Sequence, residues 1–170
     1  LAFAIALAAR AGEVLMERYE RLEQIDYKSA RDVVTEADHL SEALIIDAIR
    51  GRHPGDAILA EETGEHQAVA GEAPTSGRGR VWIVDPLDGT VNYFYGLPHF
   101  CVSIALRFRG EMQLGVIYDP QRDELFQAVK NGPSLMNGSP IRVSERSDLA
   151  EAVVSIGFSK NKSSINAGLA

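Results

Sequence analysis

The stretch Val81-Trp82-Ile83-Val84-Asp85-Pro86-Leu87-Asp88-Gly89-Thr90 constrains this chain more than any other. Four consecutive apolar residues predict a buried strand, and the strand ends directly in two carboxylates three positions apart. Pro86 fixes its own φ and biases Asp85 toward extended backbone, so both aspartates are expected to turn toward one point. Gly89 permits a close approach of the backbone to a ligand. Gly89 and Thr90 are expected to open a short helix whose free amides suit a phosphate.

Two further carboxylate positions adjoin predicted elements. Glu61-Glu62 follows the apolar run Ala57-Ile58-Leu59-Ala60, and Asp38 lies three residues after Thr35 in a capping-box pattern that opens a helix over 36–50. Carboxylates fixed at the ends of strands are rigidly held yet open to solvent, the placement an active site uses. Crowded together they repel unless a cation lies among them. With no His or Cys nearby in sequence the donors are all oxygen, which selects magnesium, manganese or calcium over zinc. Each element also has a plainer reading. Glu61-Glu62 taken alone is a solvated loop, Asp85 to Thr90 a glycine turn, and Asp38 a helix cap. His53, His66 and His99 show no ligand spacing and read as surface or loop residues, while Cys101 sits in an apolar strand and reads as core.

The rest of the chain predicts an α+β fold. Ile5, Ala8, Gly12, Leu15, Met16 and Tyr19 fall at helical spacing, and the second helix carries Leu40, Leu44, Ile45, Ala48 and Ile49 before Gly51 and Pro54 stop it. Residues 64–80 read as an exposed loop. Strands are expected at 57–60, 81–84, 101–108, 112–118, 123–129, 140–143 and 152–156, with the turns Arg109-Gly110-Glu111 and Asp119-Pro120-Gln121-Arg122 making an antiparallel meander. Two N-terminal helices packed on a largely antiparallel sheet is the expected architecture, with no repeat and no linker between domains.

Composition excludes several classes. At 170 residues and 45% hydrophobic, the chain is too apolar to be disordered and can bury roughly 70% of its unfolded surface. One cysteine rules out a disulfide scaffold and favours a cytoplasmic location. Seventeen Lys and Arg against twenty-four Asp and Glu give a net charge of -7, which argues against nucleic acid as a partner. The apolar run from Leu1 to Ala9 is broken by Arg10, Glu13, Glu17 and Arg18, far short of the roughly 20 residues of a membrane span, so no membrane partner is expected. The nucleophilic-aspartate motif of haloacid-dehalogenase phosphatases needs a second aspartate two residues away, and Pro86 occupies that position relative to Asp88. A Walker loop and a dinucleotide fingerprint are both absent.

The segment from Trp82 to Tyr93, followed by Gly96-Leu97-Pro98-His99-Phe100-Cys101-Val102-Ser103-Ile104-Ala105-Leu106, resembles the signature of the inositol monophosphatase family. The resemblance extends to Asp32-Val33-Val34-Thr35-Glu36-Ala37-Asp38, to Glu61-Glu62-Thr63-Gly64 and to Asn137-Gly138-Ser139-Pro140-Ile141-Arg142-Val143-Ser144. It implies a magnesium-dependent, lithium-sensitive phosphomonoesterase that acts by direct in-line hydrolysis. Glu61, Asp85 and the Leu87 carbonyl would hold one magnesium ion, and Asp85 with Asp88 a second. Thr90, supported by Asp38 and with Glu61 nearby, would orient and help deprotonate the attacking water. The Asp88-Gly89-Thr90 stretch, chiefly the Gly89 and Thr90 amides, would hold the phosphate. Lys28 matches a loop lysine near the metals in relatives. The resemblance also implies a homodimer and a small phosphorylated substrate. Inositol phosphate, histidinol phosphate, fructose bisphosphate and 3'-phosphoadenosine nucleotides are all hydrolysed within the family.

Two departures from the family pattern stand out. A Gly-x-Gly-Ala stretch is replaced by Asn131-Gly132-Pro133-Ser134-Leu135-Met136, and nothing after Ala150 resembles the family's later Trp-Asp motif, whose aspartate completes the second metal site. Residues 1–170 are therefore expected to be the N-terminal portion of one catalytic unit, within a layered αβαβα sandwich whose C-terminal αβ portion is missing. The alternative is a truncated or non-catalytic, metal-binding regulatory member, as some bacterial relatives bind transcription machinery.

Overall fold

The computed structural model describes residues 1–22, 25–29, 32–68 and 79–154. Helix α1 (Ala2–Arg18) precedes a short antiparallel hairpin, β1 (Ile25–Ser29) and β2 (Asp32–Thr35), and α2 (Glu36–Arg52) follows at once. Then come β3 (Ala57–Ala60), β4 (Gly64–His66), β5 (Arg80–Asp88) and the one-turn helix α3 (Thr90–Phe94). The chain continues through β6 (Cys101–Phe108), β7 (Glu111–Asp119), β8 (Glu124–Val129), β9 (Leu135–Met136) and β10 (Ser139–Pro140). Eight strands form one sheet in the order β10-β9-β8-β7-β6-β5-β3-β4. Among the described residues β3 and β5 are the parallel pair, and the other pairs in that sheet are antiparallel.

Helices α1 and α2 pack on one face of this sheet and on each other. The core between them holds Leu7, Leu15, Ile45 and Ile49 from the helices against Trp82, Val84, Val102, Ile104 and Val116 from the strands. The buried stripe of α1 is Ala4, Leu7, Ala8, Ala11, Gly12 and Leu15, so it is displaced from the expected one: Met16 is exposed and Ile5 only half-buried. Small residues win because they let the helix lie close to the sheet. A Cβ on Gly12 would meet the Tyr118 ring at 2.7 Å. On α2, Leu40 is exposed, and Ala37, Asp38, Ser41 and Glu42 take the buried face ahead of Ile45 and Ile49.

Three other expectations change. The expected loop at 64–80 begins with β4, paired to β3, and its residues 69–78 lie outside the described residues. Segment 140–143 is strand only at Pro140: the Ile141 amide still donates to the Ser134 carbonyl at 2.9 Å, and 142–148 run exposed and outside the sheet among the described residues. Segment 152–156 starts with extended but unpaired, exposed residues at 152–154, after a 3-10 turn at Leu149–Glu151, while 155 and 156 lie outside the described residues. Of the three histidines read from sequence as surface or loop residues, His99 is exposed in a loop, as expected. His53 is half-buried against the Phe3 and Trp82 rings, and His66 sits in β4 in contact with Arg50 and Thr63.

The last turn of α3 is tied back to α1. Tyr93, fully buried, donates its hydroxyl to the Leu15 carbonyl at 2.6 Å and packs its ring against Tyr19 and Phe100. Tyr93→Phe leaves the ring contacts and strands one carbonyl, so it should cost about 1 kcal/mol, read as a lower denaturation midpoint at unchanged slope.

Candidate functional site

The site forms where β3 and β5 end side by side. Their parallel register pairs Ala60 with Val84, and the Glu61 amide donates to the Val84 carbonyl at 3.1 Å. Glu61 and Asp85 therefore leave the two strands next to each other at their carboxyl ends, where parallel strands place ligand sites. Their carboxylates are in hydrogen-bond contact, and Asp88 adds its charge nearby. Burial, then the Glu61 contact, then the charges of Glu61 and Asp88 drive the Asp85 carboxyl well above the ordinary carboxylate range, against a lowering contribution from the Leu87 amide. That amide donates to Asp85 Oδ1 at 3.2 Å.

Between Asp85 and Asp88 the β5–β6 register slips, so Pro86 and Leu87 leave the ladder and Asp88 rejoins it opposite Cys101. Proline cannot donate to a ladder, so an interruption here follows from sequence. Gly89 then caps α3 with φ +98°, a left-handed conformation. A Cβ there would lie 2.9 Å from the His99 carbonyl oxygen and 3.3 Å from Phe100 Cα. Gly89→Ala meets both a backbone clash and a forbidden φ, and should destabilise the fold by about 2–3 kcal/mol in urea unfolding.

Asp38 reaches the same place from the first turn of α2. It is 1% exposed, and it closes the capping box: Thr35 donates its amide and its hydroxyl to Asp38 Oδ2 at 2.8 and 2.7 Å, while Ala37 donates its amide to Thr35. The other carboxylate oxygen accepts from the Thr90 hydroxyl at 3.0 Å, which also points at the Leu87 carbonyl at 3.0 Å. Burial raises the Asp38 carboxyl above its usual range, and the Thr35 and Thr90 hydrogen bonds oppose that rise. Asp38, Thr90 and the Leu87 carbonyl thus form one connected group beside the Glu61–Asp85 pair.

Two residues that sequence reasoning passed over hold these loops. Ser41, buried on α2, donates to the Pro86 carbonyl at 3.0 Å. Glu42, 1% exposed, accepts the Glu62 and Thr63 amides at 2.9 and 3.0 Å. A signal existed for both: they lie three and four positions after Asp38, on the face that Ile45 and Ile49 continue.

Cys101 is half-buried, with Sγ 3.9 Å from Asp88 Oδ2. Burial and the neighbouring carboxylates of Asp88, Asp85 and Asp119 push its thiol up to about 12, so it stays protonated and is no nucleophile at neutral pH. A cleft of about 450 Å³ extends from Asp88 and Gly89 past Asn92 and Phe100 to Arg122 and Phe126, beside the carboxylates. Lys28 falls in β1, and its side chain lies outside the described part of the structure.

Among the described residues no three His, Cys, Asp or Glu side chains converge as a metal cage. The donor chemistry nevertheless fits a hard divalent cation. Glu61 and Asp85 stand against each other with like charge, and a cation at that position would neutralise both. The Leu87 carbonyl offers a third oxygen outside the set of side chains.

An α+β fold with acidic groups gathered at the end of a parallel strand pair places the chain among proteins that hold ligands at such ends. Comparison with known proteins makes this specific. The model of the inositol monophosphatase family matches residues 1–168, and the chain belongs to that family. It is 42% identical over 160 residues to the Nus factor SuhB of Pasteurella multocida, covering 93% of this chain and 57% of that protein. Among solved structures, the IMPase of Thermotoga maritima superposes with a TM-score of 0.78 at 36% identity, over 88% of this chain and 55% of that one. An inositol monophosphatase from Anabaena gives 0.71 at 39% identity, over 88% and 51%. The chain spans little more than half the length of these relatives. No helix among the described residues is long and apolar enough to cross a membrane.

Proposed function

We propose that this chain is the N-terminal portion of a magnesium-dependent phosphomonoesterase, carrying the groups that hold the metal and direct the attacking water. The observation that carries the reading is the contact of Glu61 with Asp85 at adjacent strand ends, with the Asp38–Thr90 hydrogen bond alongside. Glu61, Asp85 and the Leu87 carbonyl would hold one magnesium ion, and Asp85 with Asp88 would hold part of a second site. Magnesium, when bound, would neutralise phosphate charge and acidify water.

The chain's own residues supply orientation. Thr90 shares its one hydroxyl proton between Asp38 and the Leu87 carbonyl, which leaves its oxygen lone pairs to accept from a water on the far side. Glu61, on the neighbouring strand end, is placed to take that water's other proton. The water oxygen would attack phosphorus as its bond to the ester oxygen breaks on the opposite side, the leaving alkoxide would take a proton from solvent water, and no phosphoenzyme would form. Gly89 and Thr90, at the start of α3, would face the phosphate with their amides. The cleft beside Asp88 has room for a small polyol or sugar, and a homodimer in the cytoplasm is the expected setting.

The test is phosphate release from inositol 1-phosphate by the full chain as magnesium is titrated. Release that rises with magnesium and falls with lithium is expected; no release at any magnesium concentration would remove the catalytic reading. A second reading is favoured by the name of the relatives at 38–42% identity, Nus factor SuhB. In it the same carboxylates bind metal without turnover, and the protein acts by binding a partner. Metal binding without phosphate release is its signature.

A further inference from the structure

We infer that Glu42 is a positioning residue that sets where the Glu61 carboxylate stands relative to Asp85. The inference rests on the proposed reading of Glu61 and Asp85 as metal ligands. Glu42 is 1% exposed, on the face of α2 that packs under the strand ends, and each of its oxygens takes one backbone amide: Oε2 that of Glu62, Oε1 that of Thr63. A buried carboxylate gripping two successive amides is a strong, directional clamp. It acts on the residue directly after Glu61, whose own amide is tied to Val84 on β5. The backbone of Glu61 is thereby fixed from both sides.

The neighbours of Glu42 on α2 do the same for the other loops. Asp38 holds Thr90, and Ser41 holds the Pro86 carbonyl between Asp85 and Leu87. Positions 38, 41 and 42 follow one face of a helix, so their spacing is that of the helix itself, 1.5 Å per residue and one turn per 3.6. One rigid rod therefore sets the separation of the three segments that carry Glu61, Asp85 and Thr90. Without the Glu42 clamp the Glu61 loop keeps its fold through β3 and β4 but loses its fixed distance from Asp85.

Glu42→Gln tests this, because glutamine keeps the volume but presents an NH2 group to one of the two amides. Two readouts in the full chain decide it: manganese affinity by calorimetry, and hydrogen exchange at the Glu62 and Thr63 amides. Asp56→Asn is the comparison. Asp56 is buried at the opposite end of β3, where it accepts from Arg80 and Trp82, so its loss lowers stability without touching the Glu61 loop. The expected result for Glu42→Gln is manganese affinity weakened about 10- to 100-fold, with faster exchange at both amides. Asp56→Asn should lower the melting temperature and leave affinity and exchange at those amides unchanged. Unaltered affinity or exchange in Glu42→Gln, or an equal loss in Asp56→Asn, overturns the inference. If wild-type protein binds no manganese, the ligand reading of Glu61 fails, and with it the positioning role, whatever the two amides show. Should the glutamine variant not fold, Glu42→Asp, which keeps both oxygens and withdraws them by one methylene, carries the same comparison.

Discussion

Asp85→Asn should abolish magnesium-dependent phosphate release, lowering it by about 10²- to 10³-fold or more, and at the same time make the metal-free protein more stable. Both halves follow from one geometry. Asp85 stands against Glu61 and within reach of the Asp88 charge, partly buried, and without a cation its ionised form is disfavoured. The sign is fixed by that shift. A carboxyl whose pKa is raised on folding binds a proton more tightly in the folded state, so metal-free stability is full below the ordinary carboxylate range and falls as pH climbs through the raised value. Asparagine carries no charge at any pH and can donate its amide to Glu61 where the aspartic acid donated a proton. At pH 8 the metal-free variant should therefore melt later than wild type, by an increment on the order of 0.5–2 kcal/mol. Magnesium should raise the melting point of wild type and leave the variant where it is. Thermal melts with and without magnesium, beside a phosphate-release assay, read both effects. A metal-free variant that melts earlier than wild type at pH 8 would mean that Asp85 is a structural residue and not a ligand held in waiting.

The parts of this site that sequence announced are those where the chain itself enforces geometry. A four-residue apolar run ending in Asp85, and another ending before Glu61, could only be buried strands. Their parallel pairing brought the two carboxylates together without any long-range assumption beyond the sheet. Thr35 and Asp38 were legible because a capping box is a local motif, complete within four residues. Elsewhere the local signal was too short or pointed the wrong way. The β1–β2 hairpin is built from strands of only five and four residues, with Ile25 and Tyr27 on one and Val33 and Val34 on the other, too short a pattern to announce the pairing. Leu40 looked like core by composition and is exposed, because the face it lies on turns away from the sheet. Glu42 was invisible for the opposite reason. A glutamate on a helix is normally solvated, and only its place on the Ile45–Ile49 face, beside Asp38 and Ser41, marks it as buried. What single positions could not reveal is that polar residues on an apolar stripe are there to hold loops that arrive from elsewhere in the fold.

Asp38 allows stability and chemistry to be separated, because its two oxygens serve different partners. Oδ2 accepts twice from Thr35 and closes the helix cap, whereas Oδ1 accepts from Thr90. Asp38→Ala removes both, stranding the Thr35 amide and hydroxyl in a buried place while Thr90 keeps the Leu87 carbonyl, and should destabilise the fold by about 3 kcal/mol. Asp38→Asn has a better option. With its remaining oxygen toward Thr35 it keeps the cap, and its NH2 group then faces Thr90. The Thr90 hydroxyl can still donate to the Leu87 carbonyl, 3.0 Å away, but the asparagine NH2 now takes one of its two lone pairs and the Asp38 charge behind it is gone, so its hold on a water is weakened. The expected cost in stability is only about 1 kcal/mol, while phosphate release falls by about 10²- to 10³-fold, within the range a lost acid–base partner produces. Urea unfolding and magnesium-saturated turnover of the two variants check this. Divalent-cation affinity should stay near wild type in Asp38→Asn, since none of the proposed ligands is altered. If Asp38→Asn kept wild-type turnover, Asp38 would be a helix cap alone, and orientation of the water would have to rest on Glu61 without the Thr90 hydroxyl.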